Sequence, residues 1–92
     1  MLSKIPIDLS KVSKDNFDKE ILRIGMIAEL DAVSLYEQLA EQVQSEKIKK
    51  VLLDIAREEK THIGEFEALL LEIDNDQSEE LEKGKREVEE IT

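Results

Sequence analysis

The sequence predicts an all-α protein: a two-helix antiparallel hairpin followed by a short C-terminal helix. Three observations carry that expectation. One proline, three glycines and 39% charged residues in a chain of 92 leave few interruptions to helix. Apolar residues recur with a helical period in two long blocks. The blocks are separated by only a few polar residues, which sets consecutive helices antiparallel.

Each element follows in order. Residues 1–14, "MLSKIPIDLSKVSK", contain Pro6 and show no clear period, so an extended N-terminal arm is expected. Ser13, Asp15 and Asn16 are all suited to cap the helix that follows. From about Phe17 to Val43, Leu22, Met26, Glu29, Val33, Tyr36, Ala40 and Val43 are spaced 4, 3, 4, 3, 4, 3. That spacing is one heptad stripe. Ile21, Gly25, Ala28, Ala32, Leu35 and Leu39 form a neighbouring stripe, so the apolar face is broad.

"QSEK" (44–47) is polar, and Ser45 is a candidate cap. A second helix is expected from about Glu46 to Ile73, with Ile48, Leu52, Ile55, Glu59, His62, Phe66, Leu69 and Ile73 on one stripe. "DNDQS" (74–78) should break it. "EELEKGKREVEEIT" (79–92) reads as a third, weaker helix, whose apolar residues are Leu81, Val88 and Ile91 and which contains Gly84. The organisation expected is thus an arm (1–14), a two-helix hairpin (15–74) and an acidic C-terminal helix or tail (75–92).

Composition removes several functions. There is no cysteine, hence no disulfide framework and no thiolate metal site. No apolar run approaches a membrane span, and no signal peptide is evident, so a cytoplasmic protein is expected. A net charge of −10 disfavours nucleic acid and anionic membranes as partners and is compatible with attracting cations. Aromatic residues make up 3% of the chain, so the core is aliphatic and thin. Two helices cannot bury such broad apolar faces on each other, which points to association with further chains.

Three polar residues interrupt the apolar seams: Glu29 on the first helix, Glu59 and His62 on the second. Burying an unpaired carboxylate costs on the order of several kcal/mol, so something must compensate. If the hairpin turns at Ser45, Glu29 lies 16 residues before the turn, Glu59 14 after it and His62 17 after it. All three then sit within one helical turn of the same height.

Glu59 and His62 are an i, i+3 pair on one helix face and can share an ion. Carboxylate oxygen with one imidazole nitrogen suits iron or manganese better than zinc. Di-iron bundles take a Glu from each of two helices and a Glu-x-x-His from each of two others. This chain supplies one of each, so two chains about a two-fold axis would complete the site. The competing reading is a buried Glu–His ion pair that sets helix register.

Glu-x-x-His alone says little, because Glu fills 16 of 92 positions. Its place on the seam, level with Glu29, says more. Tyr36, one heptad beyond Glu29, would either serve a metal centre by hydrogen bond or electron donation, or act as an amphipathic core tyrosine. Asp31 lies off the seam, as a rim carboxylate for cations or a solvated charge. Glu58 and Glu65 are expected on solvated faces. Gly25 and Gly64 are candidates for close helix approach.

The blocks "AELDAVSLYEQLA" (28–40) and "VLLDIAREEKTHIGEFEALLLEID" (51–74) resemble the encapsulated ferritin family, the two-helix ferritin-like proteins housed inside encapsulin shells, and archaeal members in particular. The resemblance spans roughly residues 18–91. It implies a four-helix bundle made by two chains, with a di-iron ferroxidase centre at their interface and dimers arranged in a ring, usually a decamer. It places the iron ligands on Glu29, Glu59 and His62, with Glu59 bridging two irons per dimer. It places the tyrosine beside the centre on Tyr36 and the acid that admits metal on Asp31.

Where bacterial members often carry another acid before the first ligand, this chain has Ala28, and where they often carry tryptophan it has Leu35. No encapsulin-targeting peptide is evident after residue 79. The activity implied is oxidation of Fe²⁺ to Fe³⁺ by O₂ or peroxide, for iron storage or detoxification inside an encapsulin compartment. Calcium and zinc are candidate adventitious occupants. The alternatives are a rubrerythrin-like di-metal peroxidase and a non-catalytic helical assembly module.

Overall fold

The computed structural model describes Lys4 and residues 7–92. Helix α1 runs Phe17–Gln42, α2 runs Glu46–Ile73 and α3 runs Asn75–Ile91. The described residues contain no strand. The all-α hairpin read from the sequence is the structure.

The described part of the N-terminal region is less extended than expected. Asp8 Oδ1 accepts from the Ser10 backbone N–H at 3.0 Å and closes a 3₁₀ turn over Leu9–Lys11. A second 3₁₀ turn, Lys14–Asn16, leads directly into α1. Asn16 occupies the cap position without a side-chain bond to the helix; its amide donates to Ser13 Oγ at 3.3 Å instead. The rest of the expected arm, residues 1–3 and 5–6, lies outside the described residues.

Helix α1 ends where Val43 turns to extended backbone, and Ser45 starts α2 by accepting the Ile48 N–H on its hydroxyl at 3.2 Å. That bond satisfies one of the donors a helix start leaves open. The three-residue connection keeps α1 and α2 antiparallel, and they make most of the inter-element packing.

The break after α2 is one residue, not the five of "DNDQS". Asp74 is both the C-cap of α2 and the N-cap of α3, and its carboxylate accepts the Gln77 N–H at 3.0 Å. A capping Asp starts a new helix as readily as it marks an old one's end, so Asn75, Asp76 and Gln77 join α3. Arg23 of α1 donates to the same carboxylate at 3.1 Å and to Glu20 at 2.9 Å, tying the joint to the hairpin.

The core is as thin as the composition implies. Among the described residues only Ala40, Ala56 and Leu70 are buried hydrophobics. Ile21, Leu30, Leu39, Ile48, Val51 and Leu69 are between 42% and 55% exposed. The Cα radius of gyration is 16.4 Å, whereas a compact domain of this length would have roughly 12 Å. Much of the apolar surface of the hairpin is therefore left uncovered by the chain itself. At Gly25 the two helices approach closely: a Cβ there would lie 3.1 Å from the Phe66 ring, so the ring would have to give way by a few tenths of an ångström. At Gly64 such a Cβ meets nothing within 4 Å among the described residues, so the close approach in the hairpin is at Gly25.

Candidate metal centre

Near mid-height of the hairpin, α1 presents Glu29 and α2 presents Glu59 and His62. His62 Nδ1 lies 3.3 Å from Glu29 Oε2 and 3.4 Å from Glu59 Oε2. One ligand atom from each residue lies within 4.8 Å of the others. The residues that the sequence placed at one height are brought together.

Neutral imidazole carries at most one proton on Nδ1, so it cannot donate a full hydrogen bond to both carboxylates. The two Glu side chains are 19% exposed, and the cluster brings two like charges together. Both features favour a cation among them. Ligand atoms held about 2.0–2.2 Å from one ion at tetrahedral to octahedral angles stand roughly 3.0–3.5 Å apart. The two His–Glu separations fall in that range. Two hard oxygens and one imidazole nitrogen suit Fe²⁺ and Fe³⁺ alike. The residues present therefore fit iron.

The centre is open on one side. Glu29, His62, Glu65, Phe66 and Leu69 line a groove of about 400 Å³ that meets solvent, and the His62 side chain is 45% exposed. Beyond Leu69 a second groove of about 270 Å³ continues over Ile21, Leu22 and Ile73. Asp18 and Glu72 complete the lining of this second groove. Glu65 is exposed, as expected, but it also borders this groove, which the sequence reading missed. Its spacing of three from His62 was the available signal.

Tyr36 and Asp31 are both half-buried and outside the three-residue cluster. Tyr36 stands seven residues along α1 from Glu29, about 10 Å in axial rise. Asp31 is two residues from Glu29, about 200° around the helix, and is absent from the groove lining.

A hairpin with one carboxylate on its first helix and a Glu-x-x-His on its second is half of a ferritin-like carboxylate metal bundle. The comparisons with known proteins agree with that class. The rubrerythrin family model matches residues 20–91. The chain is 58% identical over 73 residues to the ferritin-like–encapsulin shell fusion protein of Pyrococcus furiosus, an alignment covering 79% of this chain. It spans about a fifth of that relative's length, 21%. It superimposes on the crystal structure of the encapsulated ferritin domain from Pyrococcus furiosus with a TM-score of 0.84 and 48% identity, covering 100% of this chain and 94% of the other. The chain belongs to the rubrerythrin family and, within it, to the encapsulated ferritins of archaeal type.

Proposed function

We propose that the chain is a ferroxidase subunit that oxidises Fe²⁺ to Fe³⁺ at a di-iron centre completed by a second copy. The observation that carries this reading is the meeting of Glu29, Glu59 and His62 on an open, apolar-flanked face. In two copies about a two-fold axis, Glu29, Glu59 and His62 of each would hold the iron, with the carboxylates supplying oxygen donors and His62 a nitrogen donor. Two Fe²⁺ held side by side provide the electron pair that O₂ or peroxide accepts. The carboxylates hold both oxidation states, because they are hard donors.

Tyr36 is proposed as the tyrosine that serves the centre by hydrogen bond or electron donation. Asp31 is proposed as an acid that gathers cations from the α1 side. The relative from Pyrococcus furiosus is a fusion with an encapsulin shell, which supports the proposal that this chain works inside such a compartment. Assembly of dimers into a ring is part of the same proposal. A ring has no closed cavity, so iron storage then falls to the shell.

The rubrerythrin match gives a second reading, a di-metal peroxidase, some support. This chain has no cysteine, so it carries no rubredoxin-type site of its own. Native mass spectrometry before and after anaerobic Fe²⁺ addition tests the site. An even-numbered oligomer gaining two irons per pair of chains is expected; an assembly indifferent to iron overturns the proposal. Admitting O₂ or peroxide then separates the two activities: accumulating Fe³⁺ mineral fits the ferroxidase, and peroxide turnover without mineral fits the peroxidase.

A further inference from the structure

We propose that Phe66 is a positioning residue for the metal centre: its ring stands against the His62 imidazole and holds it in the orientation that a metal would meet. The inference rests on the metal reading above and names what orients the chain's one nitrogen ligand.

His62 is anchored on one side. Among the described residues its polar partners are Glu29 and Glu59, and both contacts are to Nδ1. Metal-ligating histidines usually fix their ring by donating the other N–H to a carboxylate or carbonyl. No described residue takes Nε2 in that way. An imidazole held at one nitrogen turns about its broad χ2 torsion unless packing stops it.

Phe66 is placed to stop it. Glu58, Glu59, Glu65 and Phe66 stand three or four positions from His62 on α2, where helical side chains are neighbours. Of these four, Phe66 alone is apolar. Helical side chains lean toward the N-terminus, so Phe66 leans back over the turn that carries His62. The far end of its ring lies close against α1: an ideal Cβ on Gly25 would stand 3.1 Å from Cε2 and Cζ and 3.2 Å from Cε1. Gly25 is one turn before Glu29, and Phe66 is one turn after His62. Because the helices are antiparallel, the ring spans the hairpin one turn to the same side of both ligands. Phe66, Glu29 and His62 accordingly line one groove.

His62 is the sole histidine, so its ring protons are assignable by NMR without ambiguity. In the metal-free wild type they should show nuclear Overhauser contacts to the Phe66 ring. Co²⁺ titration, followed by ligand-field absorbance, then compares the wild type, Phe66→Leu and Leu70→Val. Circular dichroism checks helical content, and native mass spectrometry checks oligomer size. Phe66→Leu should bind the same number of Co²⁺ ions about 10- to 100-fold more weakly and with an altered spectrum, the usual effect of losing an outer partner of a metal ligand. Leu70→Val thins the buried core about two turns beyond His62. It should lower Tm and leave the Co²⁺ affinity and spectrum as in the wild type.

Wild-type affinity and spectrum in Phe66→Leu overturn the proposal, as does the absence of the Overhauser contacts. An equal loss of affinity in Leu70→Val overturns it by making the loss a matter of stability. Weaker binding together with a smaller oligomer overturns it by assigning Phe66 to the contact with the second copy. Should Phe66→Leu fail to fold, Gly25→Ala decides: it keeps the ring and pushes it aside, so the His62 ring protons must shift, and unchanged shifts overturn the proposal. A wild type that takes up no Co²⁺ overturns the metal reading and this inference with it. Normal wild-type uptake with an unaffected Phe66→Leu overturns the inference alone.

Discussion

His62 Nδ1 stands 3.3 Å from Glu29 Oε2, a contact between residues 33 positions apart on opposite arms of the hairpin. The short connection through Ser45 sets that register. One extra residue inside α2, between Ser45 and Glu59, would shift His62 by about 1.5 Å along the helix and turn it by about 100° relative to that cap, carrying it off the seam. Connection length, cap and the Glu29, Glu59 and His62 cluster are therefore one unit of information in this chain.

Replacing Glu59 and His62 together with leucine separates a metal centre from a register-setting ion pair. As a metal centre, the double variant stays helical and loses Fe²⁺ oxidation by at least about 100-fold, since even outer-shell partners of metal ligands cost 10–100-fold. As an ion pair, the variant keeps or gains stability and iron makes no difference to either protein. Initial rates of Fe³⁺ formation, read with circular dichroism, decide. Retained oxidation would sink the ligand assignment.

Metal should stabilise the wild type by mass action. At a free concentration about 100 times its Kd, an ion bound only by the folded state adds about 2.7 kcal/mol per site. For a domain this small that is roughly a 10–20 °C rise in Tm. Thermal melts with Co²⁺, Mn²⁺ or chelator read the shift. It should vanish in the Glu59→Leu, His62→Leu double variant, and an equal shift there would point to binding elsewhere on the acidic surface.

Much of this was legible in the sequence because the relevant physics is local and periodic. The 4, 3 spacing gave both hairpin helices, Ser45 gave the start of α2, and the turn position gave the height of the ligands. The α2–α3 joint was less legible. The five polar residues after Ile73 look like a loop, yet Asp74 caps two helices at once and is held by Arg23, 51 positions away. Glu65 was missed for a similar reason. A heptad stripe places it outside the seam, and only the open groove shows that its carboxylate shares a surface with Glu29. The roles given to Tyr36 and Asp31 rest on family resemblance, because neither belongs to the cluster.

Asp74 should therefore matter to α3 more than its place in a polar stretch implies. Asp74→Ala removes the α3 cap and the Arg23 partner. The cap contributes about 1 kcal/mol. The ion pair adds less than about 1 kcal/mol, because the Arg23 side chain is 40% exposed. Asp74→Asn keeps a capping oxygen and should lose only the smaller part. Hydrogen exchange over residues 75–91 should rise sharply in Asp74→Ala and slightly in Asp74→Asn. Equal exchange in both would mean that the Arg23 contact, not the cap, holds the joint.

Two glycine substitutions should move stability in opposite directions. An added methyl at Gly84 meets nothing within 4 Å, so Gly84→Ala gains helix propensity of up to about 1 kcal/mol. That corresponds to roughly 4–8 °C in Tm. At Gly25 the same gain is opposed, because the new Cβ falls 3.1 Å from the Phe66 ring and forces it to shift. Overpacking of this kind costs about 1–3 kcal/mol, so the net effect should be destabilising. Phe66 also lines the groove at the metal centre, so Gly25→Ala should slow Co²⁺ loading as well as lower Tm. Gly84→Ala should raise Tm and leave loading untouched. Parallel melts and loading traces check both, and a Gly25→Ala protein as stable as the wild type would show that the ring moves at little cost and that the helices do not need glycine there.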